Sequence, residues 1–542
     1  PAKNPTTSGS SGMKIPLNEF VNMMTKTKTW LMGLTGLLLM GGLASADAAP
    51  KHIPAGYSVD TIQIPDEIVL GVGGMEFHPD GHLFICTREG EVWRYKDDKW
   101  SLFADGLHEP LGIYIDQKTK EVWVMQRPEL TRLVDEDGDN VADVYETVNS
   151  SWGLTDNYHE YSFGLVRDRY GNFYGTLNTS LSWRGWAGSH RWDIGRVHDS
   201  KMGRSAFYRG WSFQVTLDGR FVPWSSGLRS PAGIGISPDG DIFYTDNQGD
   251  WNGTSSLHHV VKGRFHGHPS SLTDHPGYQV ASASTDVKLL SDYKDHERKV
   301  AATVKRLNQI SVTDYEKLRT PPAIWFPHGE LASSPGEPVW DLTEGKFGPF
   351  AGQVFVGDQT KSNMMRAHLE KVQGEFQGIV FDFVDPMHCG AMRNRFGPDN
   401  ALWVGQTGRG WGSVGGKRFG LERIVWDGKT TPMEMHHVSL TKDGFTIVFT
   451  KPVDKKAAAD AASYSIKHWG YEYRAEYGSP KVGTTDVKPS RITVAEDGKS
   501  VHLSMDLVKD RVYEFIIQSG LTGADGSKFT NPRGWYTLNY LR

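Results

Sequence analysis

Cysteine is nearly absent from this chain: Cys86 and Cys389 are the only two in 542 residues. That excludes a disulfide framework, a CxxC metal clip and a C-x-x-C-H haem attachment, so the fold must rest on its core. Two separate buried thiols are expected, although export would allow one disulfide between them. Strong charge of either sign is also missing, because the formal net charge is -5 and no Lys/Arg stripe is interleaved with aromatics. Nucleic acid is thereby excluded as a partner. No apolar run reaches the ~20 residues that a membrane-spanning helix requires. The clearest one, "WLMGLTGLLLMGGL" from Trp30, follows Lys26 and Lys28 and precedes the small residues of "ASADAAP". This is the order of a secretory signal over residues 13–48, cleaved near Ala46 or Ala48. It predicts a periplasmic or extracellular protein with no stable membrane span after cleavage. Residues 1–12, "PAKNPTTSGSSG", read as a flexible linker scar.

Glycine and large aromatics are plentiful: 61 Gly and 18 Trp, with 38% hydrophobic residues overall, point to many tight turns around an aromatic interior. One unit recurs: a short apolar strand, a turn rich in Asp, Gly or Asn, and a second aromatic strand. Its copies are "GMEFHPDGHLFICTREG" (Gly74), "LGIYIDQKTKEVWVMQR" (Leu111), "FGLVRDRYGNFYGTLN" (Phe163), "AGIGISPDGDIFYTDN" (Ala232) and "NRFGPDNALWVGQTGRG" (Asn394), with a weaker one from Phe347 to Leu369. Each alternates about its turn as a half-buried hairpin does, and no hairpin buries both faces alone. Six of them predict an all-β fold, a six-bladed β-propeller over 56–426. Residues 270–322 form a partly helical insertion on one rim, placed as a lid would be. From 432 to 542, short strands such as "GFTIVFT" and "VYEFIIQ" are spaced as in a C-terminal immunoglobulin-like β-sandwich. Within that region "WGYEYRAEYGSPKV", from Trp469, is too long and aromatic for a simple turn; exposed aromatics of this kind bind sugars or dock against another domain, docking being the more frequent role.

Three groups of residues carry candidate chemistry. In "DEDGDNVADV", Asp135, Asp137, Asp139 and Asp143 offer oxygens at alternate positions, as a structural Ca2+ requires; an Asp/Gly turn without metal satisfies the same pattern. His159 in "DNYHEYSFGL" enters the third blade's innermost strand, which lines an axial mouth, and there suits a general base. Arg229 enters the fourth blade in the same way, and "TDNQGDWNG" follows with Asp246, Asn247, Gln248 and Asp250. Those oxygens suit Ca2+, and the guanidinium suits an anionic ligand. His159, Tyr161 and Arg229 together also suit proton abstraction beside a uronate carboxylate, with Trp183, Trp186, Trp251 and Trp411 as rim aromatics for sugars.

At these residues the chain resembles the soluble sugar dehydrogenases that depend on pyrroloquinoline quinone (PQQ), the glucose/sorbosone dehydrogenase propellers, over 56–426. "NYHEYSFGLVRDRYGNFYGT" is similar to the family segment that carries the catalytic base, which implies His159. "RSPAG" is similar to Arg-Asn-Pro-x-Gly, which implies that Arg229 and Ser230 contact the cofactor. The resemblance further implies Ca2+ held by Gly249 and Asp250 over PQQ, a cofactor lysine at Lys361, and cofactor arginines at Arg393 and Arg395, a few residues late against the family pattern. The chain is closer still to propeller proteins that carry the label membrane-bound dehydrogenase. Oxidation of a sugar or alcohol, with electrons passed to a separate acceptor such as a cytochrome, is the activity implied. A PQQ-free polysaccharide lyase or hydrolase and a non-catalytic carbohydrate-binding protein are the alternatives.

Overall fold

A computed structural model describes residues 52–181, 195–278, 290–408 and 412–542. The scar, the signal segment, Trp183, Trp186 and Trp411 lie outside the described residues. Six four-stranded antiparallel blades form a propeller, five of them separate sheets and the fifth one half of a larger sheet. Their innermost strands, Val72–Phe77, Ile113–Ile115, Ser162–Arg167, Pro231–Ile236, Pro335–Trp340 and Ala391–Phe396, neighbour one another in sequence order and close into a ring. Each repeated hairpin supplies an innermost and a second strand, except in the fifth blade. There the weak copy supplies the second and third strands, Val354–Asp358 and Asn363–Val372, and the innermost strand is the preceding "PGEPVW". Two prolines concealed it, since a strand facing the channel has amides that need no ladder partner. The sixth blade is completed by Tyr57–Thr61, paired with Phe419–Trp426.

Aromatic and aliphatic clusters weld each blade to the next. Phe84 and Phe103 meet Ile113 and Ile115 across the first junction, and Phe355 and Met364 meet Ala391 and Leu402 across the fifth. Each such side chain contributes roughly 1.5–3 kcal/mol on burial. At the axis the strands approach so closely that only glycine fits. A Cβ on Gly112 would lie 2.1 Å from the Gly164 carbonyl oxygen, and Gly73, Gly233 and Gly336 meet equally close backbone. Gly112→Ala is therefore expected to lower the melting temperature, by overpacking that costs about 1–3 kcal/mol; an unchanged thermal melt would contradict this reading of the ring.

The C-terminal region forms two four-stranded sheets, ordered 435–440, 444–449, 500–504, 491–494 and 482–487, 464–470, 511–517, 533–538. They enclose a shared core that includes Val438, Phe445, Leu503, Phe515 and Tyr536. The second sheet does not end there. Arg533–Leu538 pairs with Glu375–Val384, the outer strand of the fifth blade, so blade and C-terminal sheet are one eight-stranded sheet. Residues 51–542 accordingly form one compact unit. In the 270–322 insertion, helices Leu290–Leu307 and Val312–Leu318 pack Leu307 and Tyr315 against Trp251 and Phe265. Cys86 and Cys389 are separate buried thiols.

Candidate active site

In every blade but the second, the register shifts near the start of the innermost strand, a bulge that re-aims the side chains entering the channel. Those residues, with the ones leaving the second strands, enclose a cavity of about 440 Å3 at one mouth of the axis. All six blades contribute to it. His159, Tyr161, Arg229 and Ser230 line it as expected, and Arg88, Asn178, Lys201, Asn247, Gln359 and Tyr477 line it as well. No carboxylate is among its described lining residues, so its charged wall is cationic.

His159 is half-buried. Its loop is fixed by Asn157, whose side chain accepts the His159 amide at 3.1 Å, and by buried Glu160, which accepts the Ser180 hydroxyl at 2.7 Å. Its Nδ1 lies 2.9 Å from the Thr179 carbonyl oxygen. A carbonyl only accepts, so Nδ1 carries the proton and Nε2 keeps its lone pair, 3.2 Å from the Ser230 hydroxyl. Burial and then the nearby Arg229 charge push the imidazole down to about 4. It is therefore neutral at neutral pH, oriented as a base.

Tyr161 takes the opposite character. Burial raises its hydroxyl far above the usual value, only partly offset by the Arg88 charge. Arg88 donates to it at 3.2 Å and is itself held by Glu109 at 2.7 Å. The phenol thus keeps its proton and can give it up only to a strongly basic leaving atom. The two rings stand 5.8 Å apart, centre to centre.

Arg229 donates from Nε to Asp250 at 3.0 Å, and its terminal nitrogens have no hydrogen-bond partner among the described residues. The other Asp250 oxygen accepts the Met202 amide at 2.9 Å and faces His268 Nε2 at 3.1 Å. Burial alone would raise the Asp250 carboxyl, but Arg229 and His268 hold it well below the usual carboxylate range.

These contacts correct the proposed Ca2+ site. Both Asp250 oxygens are engaged, and the Gly249 carbonyl accepts the Gly478 amide at 2.9 Å. The Arg229 side chain lies directly on Gly249, where a Cβ would fall 1.8 Å from its Nε. Asp246 accepts the Arg229 and Ser230 amides at 2.9 and 2.7 Å, which fixes the fourth blade's bulge, while burial raises it to about 6. Asp358 does the same in the fifth blade for Ser333 and Ser334, so this aspartate is a repeated structural clamp. The group does not fit a calcium ion, because a guanidinium already supplies the positive charge.

The cofactor cations are also dispersed. Lys361 donates to the Gly329 carbonyl at 2.9 Å and is not on the cavity wall. Arg393 crosses the axis to the carbonyls of Gly73 and Ala232 at 2.6 and 2.7 Å, forming the floor. Arg395 pairs with Glu76 at 3.1 Å and with Glu337 at 2.7 Å, off the cavity wall. Of these three, only Arg393 faces the cavity, with its Nε and Nη1 donating to backbone carbonyls, so the contacts expected of Lys361 and Arg395 are not made and Arg229 and Ser230 remain the expected cofactor residues on the wall. Trp251 is 2% exposed and serves the core rather than the rim. In the acidic turn, Asp135, Asp137 and Asp143 bring one oxygen each within 4.8 Å of the others. Asp139 lies outside that group; it accepts the Val141 amide at 2.8 Å, as Asp135, Asp137 and Asp143 also accept backbone amides of the turn.

Among solved structures the chain is similar to the PQQ-bound aldose sugar dehydrogenase of Streptomyces coelicolor, at 14% identity over 69% of this chain and 99% of that one, with a TM-score of 0.43. It is similar to the PQQ domain of pyranose dehydrogenase from Coprinopsis cinerea at 12% identity over 71% and 98%, with a TM-score of 0.46. The apo soluble aldose sugar dehydrogenase of Escherichia coli matches at 13% over 68% and 99%, with a TM-score of 0.42. Likenesses at these scores carry no residue role across to this chain. No curated protein matches it. The model of one family, a domain of unknown function designated DUF7133, matches residues 96–408, more than half of the length, and the chain belongs to that family.

Proposed function

We propose that the axial cavity is the active site of an exported enzyme that takes a proton from an acidic carbohydrate, with His159 as the base. The observation that carries this reading is the neutral imidazole, locked through Nδ1 on the Thr179 carbonyl, in a wall whose charged residues are cations. Arg229 neutralises the carboxylate of a uronate residue, which acidifies the adjacent C5–H bond. His159 Nε2 removes that proton. The electron pair forms a C4=C5 double bond as the C4–O bond breaks, and the departing oxygen takes the Tyr161 proton. The step is redox-neutral and uses only groups that line the cavity. The leader-like segment at residues 13–48 supports export to the periplasm or exterior. Among the described residues no helix is long and apolar enough to cross a membrane.

The second reading is oxidation of a sugar or alcohol, favoured by the same Nε2, which would accept a hydroxyl proton equally well. It needs PQQ and Ca2+ in a site whose described residues are otherwise engaged, and a separate electron acceptor such as a cytochrome.

One experiment separates the two. Purified protein is incubated with oligomers of galacturonate, mannuronate and glucuronate, and the ultraviolet absorbance of unsaturated uronide is followed, with and without EDTA. Parallel samples receive aldoses or alcohols with PQQ, Ca2+ and a redox dye. The elimination reading expects absorbance that EDTA does not diminish and no dye reduction. Dye reduction that requires PQQ, without unsaturated product, would overturn it.

A further inference from the structure

The C-terminal region reaches into the cavity. Residues 471–481, between strands Tyr464–Gly470 and Val482–Val487, form a tongue laid along the 249–253 loop of the fourth blade. The Gly478 and Ser479 amides donate to the Gly249 and Gly253 carbonyls at 2.9 and 2.8 Å, and the Trp251 amide donates back to the Arg474 carbonyl at 2.9 Å. The Tyr473 hydroxyl reaches the Gly267 carbonyl at 2.5 Å, with its ring packed on Trp251. These contacts bury Tyr473, and Tyr471 packs on Trp325, which leaves Tyr477. Tyr473 is 5% exposed, whereas Tyr477 is 47% exposed, although rigid backbone holds it on both sides.

The placement of that ring is chemically specific. Tyr477 lines the same cavity as His159, and the Arg229 guanidinium lies 5.3 Å from its centre, with the Lys201 ammonium at 5.6 Å. Its hydroxyl has no hydrogen-bond partner among the described residues. An immobilised, half-exposed aromatic face beside two cations is complementary to a pyranose ring that bears a carboxylate. The C–H face stacks on the ring and the carboxylate meets the guanidinium. The same tongue buries Tyr473, whereas Tyr477 is left facing the cavity beside two cations.

We infer that Tyr477 is the sugar-stacking residue of the axial site, so that the C-terminal region sets which acidic sugar the propeller accepts. This rests on the reading of the cavity as a carbohydrate site and adds to it a residue outside the blades.

The test uses the full chain and calorimetric titration with trimers of galacturonate, mannuronate and glucuronate, with maltotriose as the neutral control. Tyr477→Ala is expected to weaken binding of the preferred acidic trimer about 10-fold, with the loss falling on KM rather than kcat. Tyr477→Phe, which keeps the ring, is expected to bind as the wild type does, and the thermal melts of all three are expected to coincide. Unchanged affinity in Tyr477→Ala overturns the inference, as does a wild-type protein that binds none of the acidic trimers. His159→Gln distinguishes this from failure of the base assignment: if turnover survives that change, the base reading falls while the Tyr477 binding result still stands.

Discussion

His159→Gln lowers turnover by about a hundred- to ten-thousand-fold and leaves the affinity for an acidic oligosaccharide unchanged, the range expected when a positioned base is lost. Glutamine keeps a donor near the Thr179 carbonyl but has no basic nitrogen for the cavity. The pH dependence follows from the same environment. Because burial and the Arg229 charge bring the imidazole to about 4, the base form persists at every higher pH. The activity profile should be flat from about pH 5 to pH 8, falling as pH drops through about 4. The stability linkage has a wider window. Above the ordinary value of 6.5 the group is neutral in both folded and unfolded chains, and below it the unfolded chain binds a proton that the fold resists. Stability therefore declines as pH falls from 6.5 towards about 4. Full turnover in His159→Gln, or a rate that falls through pH 6.5, would remove His159 from the chemistry.

Asp250→Asn has the second large effect, on stability and binding together. The side chains of Asp250 and Arg229 are 1% and 9% exposed, so neutralising the carboxylate leaves a guanidinium without its partner in a desolvated site, at a cost of about 3–5 kcal/mol. The substitution also weakens the acceptors for the Met202 amide and His268, which releases the 201–202 segment from the cavity wall. A lowered melting temperature and loss of acidic-sugar binding are expected, and a variant with wild-type melting and binding would contradict the network. Mild acid does not mimic the variant. The Asp250 carboxyl lies below its ordinary 3.8 in the fold, so its contribution is present above that value and is lost only as pH descends through the lower folded one.

The propeller was legible because its unit is local: a turn such as "SPDGD" between alternating strands states its hairpin without reference to anything distant. The blade whose hairpin was displaced is the one whose innermost strand carries Pro335 and Pro338, where local propensity argues against a strand and only the ring requires one. At the site, His159 and Arg229 were readable because they shortly precede an innermost strand, and Tyr161 and Ser230 because they abut one. A complementary signal went unused. Arg88, Asn178, Asn247 and Gln359 each follow directly on a second strand, and all four line the cavity. Aligning the hairpins by their second strands would have found them, and would have shown Asp246 and Asp358 as one recurring clamp. The engagement of Asp250 was not legible, because its partners Met202 and His268 come from segments far along the chain. Tyr477 was hidden for the same reason: the sequence marks the tongue as unusual, but what it covers is fixed by the shared sheet through Arg533–Leu538.

The latch between Tyr57–Thr61 and Phe419–Trp426 also sets a timetable. During synthesis the first strand has no partner until its complement, hundreds of residues later, has left the ribosome. Five blades can assemble while the ring stays open, and closure depends on contacts of extreme sequence separation, the kind that form slowly.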